Sequence, residues 1–237
     1  MAYNYQQFSA EEYNLSTFRG PPPGSKAPDF DLPLAGGGSG RLLQFDGDFL
    51  VLETGSITCP LFQGRRPAMA RLDHSRKNVS FAVLYVREAH PGATIGPHKS
   101  DSDKQAAARQ LAEQGGEERR IFIDGLEGAA HAAYGAYPNA VFIINRNGCV
   151  VWASDWNNPR ATERALDLLQ AGKPANVRAF FKPVPPRVSL RILRGSGRGA
   201  LPDFLRSLPS LIWHNFIQRN LRLMFGRAAK VPPNTQC

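Results

Sequence analysis

Phe49-Leu50-Val51-Leu52-Glu53-Thr54-Gly55-Ser56-Ile57-Thr58-Cys59-Pro60 is the stretch on which the reading of this chain turns. Residues 49–54 form a short apolar run of strand type. Residues 55–60 make a tight connection, and 62–76 predict a helix that Pro67 kinks or delays. Cys59 therefore stands between strand and helix, with Pro60 at the first helical position. A thiol placed there faces unpaired backbone N–H groups and the positive end of the helix dipole. Both favour thiolate over thiol and predict a lowered pKa. A lone cysteine is more often a small buried hydrophobe. The strand–Thr-Cys-Pro–helix setting points instead to an accessible, reactive nucleophile.

Outward from Cys59, residues 79–86 read as the strongest strand, and 102–114 as an Ala-rich helix stopped by Gly115-Gly116. A third strand is expected at 121–124 and a short helix at 127–134. Residues 141–144 and 150–153 flank Asn145-Arg146-Asn147-Gly148, whose Asn-Gly step signals a hairpin. A last helix starts at Asn158-Pro159 and stops at Gly172. The order β-α-β-α-β-α-β-β-α predicts parallel strands followed by an antiparallel hairpin. It resembles the thioredoxin fold, an α/β class with a central mixed sheet flanked by helices. Residues 26–173 are expected to form that domain. Before it, the Pro-flanked stretch at 26–34 leads into a flexible turn at 36–40, and 41–45 is expected to return as an edge strand. The polar stretch 1–25, ending in Gly20-Pro21-Pro22-Pro23-Gly24, reads as an extended arm.

The net charge of +9 over 237 residues is uneven. Residues 174–237 hold nine Arg and two Lys against one acid, Asp203, a net of +10; residues 1–173 carry 18 basic and 19 acidic residues. A basic extension on a neutral body fits an anionic partner. Pro183, Pro185, Pro186, Gly195, Gly197, Gly199 and Pro202 are expected to break up its first part, and a basic amphipathic helix fits 207–225. Peripheral membrane contact through this tail ranks above nucleic acid, because its arginines lack regular aromatic interleaving. No apolar run approaches the roughly 20 residues that cross a bilayer, which excludes an integral membrane class. The first residues lack a basic patch followed by an apolar stretch, so no secretory signal is expected. The three cysteines, Cys59, Cys149 and Cys237, argue against a disulfide framework and fit a reducing, cytoplasmic compartment. No zinc-ligand spacing or nucleotide fingerprint occurs, and neither metal nor cofactor is expected.

Three redox chemistries compete at Cys59. Dithiol exchange needs Cys-x-x-Cys, and Phe62 stands at the fourth position. A one-cysteine peroxidase of the peroxiredoxin type usually shows Pro-x-x-x-Thr/Ser-x-x-Cys; Ser56 fits, but Leu52 replaces the proline. The third rests on a resemblance. Gly55-Ser56-Ile57-Thr58-Cys59-Pro60-Leu61-Phe62 resembles the active-site segment of the iodothyronine deiodinases, in which selenocysteine takes the place of Cys59. In order along the chain, Tyr85-Val86-Arg87-Glu88-Ala89-His90-Pro91, His98-Lys99-Ser100, Ala133-Tyr134-Gly135-Ala136-Tyr137-Pro138 and Trp156-Asn157-Asn158-Pro159 are similar to further segments of that family. The resemblance covers about residues 45–170.

The resemblance implies a thioredoxin-like fold and reductive removal of iodine from an aromatic ring. An external thiol such as glutathione or thioredoxin would serve as cosubstrate. Cys59 would take the halogen. Glu88, His90 and His98 would handle protons and orient the substrate, with Thr58, Tyr137 and Pro138 beside them. Pro138 matches the proline that is cis in such folds, where the backbone before it faces the cysteine. A histidine titrating near neutrality suits protonation of the ring carbon. Four departures bear on the substrate. Cysteine is a weaker nucleophile than selenocysteine, Ile57 replaces a nearby second cysteine, Leu61 replaces a proline, and Ala140 falls where the family carries an arginine. A halogenated aromatic other than thyroid hormone, a peroxide or a protein disulfide thus stays open as substrate. So do a homodimer, a role for Cys149 or Cys237 in resolving Cys59, and a binding module with little turnover.

Overall fold

The computed structural model describes residues 3–13, 15, 17–113 and 117–237. A small antiparallel hairpin, β1 (Asp31–Pro33) and β2 (Ser39–Arg41), precedes the main sheet. Its second strand lies earlier than 41–45 because Leu34–Gly38 hydrogen bonds close the reversal two residues sooner. Then come β3 (Phe49–Gly55), α1 (Pro60–Ser75), β4 (Val79–Tyr85), α2 (Asp101–Glu113), β5 (Arg120–Ile123) and α3 (Ala129–Ala133). β6 (Val141–Asn145), β7 (Val150–Ser154) and α4 (Pro159–Gln170) complete the body. The expected helix stop at Gly115-Gly116 lies outside the described residues.

The five main strands lie in the order β5-β4-β3-β6-β7. β3, β4 and β5 run parallel, while β6 is antiparallel to both β3 and β7. This is the thioredoxin-like α/β arrangement that the element order predicts. β3 is central and buried along its whole length, because both faces of the sheet are covered. The period of two divides its side chains between two cores. Phe49 and Val51 meet Met69 and Leu72 of α1 and Leu166 and Leu169 of α4. Leu50 and Leu52 face the opposite way, toward Leu42, Tyr134 and residues from the chain's first part.

The described residues of the stretch read as an extended arm, 3–13, 15 and 17–25, do not stand off from the body. Tyr5, Phe8, Tyr13 and Leu15 are buried in the second of those cores. Arg87, which follows β4, explains why. Its guanidinium carbon lies 5.3, 4.7 and 4.7 Å from the ring centres of Tyr3, Tyr5 and Tyr13. It also donates to the backbone oxygens of Tyr3 and Glu12, both at 2.8 Å.

The segment after residue 173 is not a loose tail either. It folds as α5 (Pro186–Gly195), α6 (Ala200–Leu211), a π-helical stretch (Ile212–Gln218) and α7 (Arg219–Phe225). Two of the four prolines read as breakers occupy first turns instead: Pro186 opens α5 and Pro202 is the third residue of α6, where a missing N–H leaves no bond unmade. Pro209, inside α6, shortly precedes the change to π-type winding. Arg219 anchors the run. It is 2 % exposed, and its Nε donates to both carboxylate oxygens of Asp155 at 2.8 Å. Trp156 Nε1 donates to Asn215 Oδ1 at 2.9 Å beside it. Among the described residues no helix is long and apolar enough to cross a membrane.

Cys149 and Cys237 form a disulfide, although the cysteine count argued against a disulfide framework. They lie 88 residues apart, and sequence spacing alone does not show that the fold returns the C-terminus to the β6–β7 hairpin. Asn145 Nδ2 donates to the oxygens of Pro233 and Thr235 and holds it there. Neither cysteine is therefore free to resolve Cys59, the one free cysteine.

Candidate active site

Cys59 caps α1 as the strand–helix pattern predicts. Its Sγ accepts the Phe62 N–H at 3.5 Å. Close packing fixes this turn: a Cβ on Gly55 would come within 2.3 Å of the buried Phe62 ring. The expectation of an exposed, acidic thiol fails. Cys59 is 2 % exposed, and burial pushes its pKa up to about 11. The Phe62 N–H and the Arg65 guanidinium pull the other way, so the predicted helix-end effect is present but overridden. Arg65 is itself buried, held by Asn139 Oδ1 at 2.7 Å and the Lys182 oxygen at 2.8 Å. Burial lowers its pKa to about 10, which leaves it a cation at neutral pH.

The sulfur lines a cavity of about 440 Å³. Three separated parts of the chain build its wall. Phe8, Tyr13 and Leu15 come from the first segment, Pro60, Leu61, His90, Pro138 and Trp156 from the body, and Phe204, Leu208 and Leu211 from α6. His90 is packed between the Phe8 ring, at 4.1 Å between centroids, and the Phe204 ring at 5.5 Å. Its Nδ1 is buried and has no hydrogen-bond partner among the described residues. Burial drives its pKa down to about 3, against the pull of Glu88. His90 is thus a neutral imidazole with an unmet polar atom, on the same cavity as the thiol.

Glu88 is not a solvated loop residue but a buried hub. Thr58 donates to its Oε2 twice, from N at 3.0 Å and from Oγ1 at 2.6 Å. Tyr85 donates its hydroxyl to Oε1, and His98 Nε2 lies 3.2 Å from the same oxygen. Burial alone would raise the Glu88 pKa. The nearby His98 imidazole and the hydrogen bonds from Thr58 and Tyr85 outweigh it and hold the carboxyl below its usual range. Thr58 Oγ1 in turn accepts the His90 backbone N–H at 3.0 Å, which ties the hub to the cavity wall.

Of the residues singled out from sequence, Cys59, His90 and Pro138 meet on the cavity, whereas Thr58, Glu88, His98 and Tyr137 stand behind its wall. The Tyr137 ring packs on Trp156 at 5.4 Å, and its oxygen accepts from Thr54 Oγ1 at 2.8 Å. These four position the wall instead of touching what fills it. Pro138 is trans, as is every peptide bond among the described residues; the chain reverses before it, at Gly135 (φ 86°) and Ala136 (φ 57°). Local motifs gave no sign of the flanking walls. Aromatic residues within the polar first segment and apolar periodicity in the tail were their only traces. Among the described residues no group of three or more His, Cys, Asp or Glu side chains is placed to hold a metal ion.

Comparison with known proteins bears on the fold and the family. A thyroxine 5-deiodinase from Ovis aries is 34% identical over 113 residues, covering 44% of this chain and 38% of its own length. The chain thus spans about two fifths of the length of such curated relatives. A hypothetical protein from Sinorhizobium meliloti shares the fold with a TM-score of 0.54 at 20% identity, over 66% of this chain and 88% of that one. An uncharacterised conserved protein from Geobacillus kaustophilus does so with a TM-score of 0.53 at 24% identity, over 65% and 85%. The family model for iodothyronine deiodinase matches residues 2–155, a span that includes the buried first segment, the Cys59 turn, the Glu88 hub and His90, and on that match the chain belongs to the iodothyronine deiodinase family.

Proposed function

We propose that the protein is a thiol-dependent oxidoreductase that removes iodine, or another heavy halogen, from an aromatic ring by nucleophilic attack of Cys59. One observation carries this reading: a free thiol and an unpartnered neutral imidazole share an aromatic-walled cavity in a member of this family. Apolar and aromatic walls suit a ring substrate, and a heavy halogen presents a polarisable atom to sulfur. The Cys59 proton passes through His90 Nδ1 to the ring carbon within the attack itself, because a thiol with a raised pKa and an imidazole with a lowered one do not form a standing ion pair. The sulfur attacks the halogen as that proton leaves. A sulfur–iodine bond forms as the carbon–iodine bond breaks, and the ring carbon takes the proton that His90 passes on. An external thiol displaces iodide to give a mixed disulfide. A second thiol releases Cys59 as a thiol, forming the oxidised disulfide of the reductant. Overall the iodinated ring and two thiols yield the deiodinated ring, one disulfide and hydrogen iodide.

Arg65 supports this scheme as the cation behind the sulfur, stabilising the thiolate when it forms. With Cys149 and Cys237 tied to each other, an external reductant is the natural partner. A one-cysteine peroxidase ranks second, because a mainly apolar wall offers few donors to hold a peroxide. The test is iodide release from an iodinated tyrosine or thyronine with dithiothreitol. Wild type should turn over and Cys59→Ser should not. No release by wild type, or equal release by the variant, sinks the proposal.

A further inference from the structure

Eight of the nine large hydrophobic side chains that stand exposed among the described residues lie on one helical run, from Leu205 of α6 to Phe225 of α7. Trp213 is 56% exposed and Phe225 79%. Scattered exposed hydrophobics are ordinary, but concentration on one element is not. The surrounding charge has one sign. Ten of the eleven basic residues in 174–237 are exposed, Arg219 being the exception. The one acidic side chain there, Asp203, is buried against Arg206 at 3.2 Å. Arg206, Arg222, Arg227 and Lys230 lie along the run and just beyond it.

We infer that α6, the π-helical stretch and α7 form a docking face for an anionic lipid bilayer, lying along its surface without crossing it. Exposed Trp, Leu, Ile and Phe side chains supply the apolar insertion, and the basic residues supply attraction to acidic headgroups. Charge argues against a second copy of the chain, since a two-fold interface would set basic side chains against basic side chains with no exposed acid to offset them. The apolar share, rich in Leu and Ile, argues against nucleic acid. The same run reaches the Cys59 cavity. Ile212 and Phe216 line it and are also 46% and 51% exposed, so the edge of the cavity lies at the docking face. A ring-bearing substrate dissolved in the bilayer would reach the thiol from there. That last clause rests on the proposed function; the docking does not.

The experiment uses the full chain with vesicles of phosphatidylcholine, with or without about 30% phosphatidylserine. Cosedimentation and tryptophan emission are read together. Trp152 and Trp156 are 2% and 5% exposed, so a blue shift reports Trp213. Cosedimentation with acidic vesicles, a blue shift, and about tenfold weaker binding at 0.5 M salt or to neutral vesicles are expected. The double variant Leu221→Glu/Phe225→Glu, both on exposed positions outside the cavity wall, should bind about tenfold more weakly or worse with an unchanged circular dichroism spectrum. Cys59→Ser should bind as wild type does, which keeps this result separate from the dehalogenation assay. Failure to sediment with acidic vesicles, or equal binding to neutral ones, overturns the inference. So does a solution dimer that the double variant dissociates in the absence of vesicle binding.

Discussion

At position 59 a helix N-terminus and the Arg65 cation favour the thiolate, and burial opposes them and wins. The cavity wall therefore carries a neutral thiol, and activation falls to the His90 imidazole. Iodoacetamide at pH 8 should label Cys59 about a hundredfold more slowly than free cysteine, as a pKa near 11 in place of 9.0 requires. Labelling at the free-cysteine rate would show that the helix end governs after all. His90 and His131 share a second consequence. Burial holds both near a pKa of about 3, whereas 6.5 is the ordinary value. Below pH 6.5 the unfolded chain binds protons that the folded chain refuses, so stability is intact above that pH and falls as the pH drops toward 3. Each imidazole contributes up to about 1.4 kcal/mol per pH unit in that window. Urea midpoints should thus fall between pH 7 and 5, and fall less for His90→Phe. A midpoint that does not move over this range would place both rings in water.

At the scale of elements, the five strands of the main sheet and α1 through α4 were legible because their signals are local. Short apolar runs mark β3 and β4, an Asn-Gly turn marks the β6–β7 hairpin, and Asn158-Pro159 marks the start of α4. Cys59, His90 and Pro138 were legible for the same reason, each lying in a short motif. The two outer segments were not. Tyr5 and Tyr13 bury against Arg87, more than seventy residues away, and nothing in a polar stretch announces that partner. Pro186 and Pro202 looked like breakers because a sequence does not show whether a proline falls in a first turn or an interior. Arg219 ties the second segment down through Asp155. Arg219→Met should cost about 3–5 kcal/mol in urea unfolding by leaving that carboxylate without its partner, and Arg219→Met/Asp155→Asn should recover part of the loss. A single variant within about 0.5 kcal/mol of wild type would show that the helical run is not held at this point.

For the whole molecule, the disulfide closes the C-terminus onto the sheet hairpin across 88 residues. Thiol titration of the denatured, unreduced protein should find one free thiol per chain, Cys59, and finding three would refute the pairing. Reduction should lower stability by about 2–4 kcal/mol through the longer-reaching unfolded chain, while Cys59 keeps its surroundings. The cavity is likewise a property of the whole, since the first segment, the body and the helical run each give it a wall. The most direct measurement of its chemistry is a single turnover without reductant. Protein in excess is mixed with an iodinated tyrosine or thyronine, and the deiodinated ring is quantified against the protein consumed. One ring should appear per Cys59 consumed, at a rate lowered about a hundredfold or more in His90→Asn, and none should appear with Cys59→Ser. Equal product from Cys59→Ser, or none from wild type, would contradict a dehalogenation carried by this sulfur.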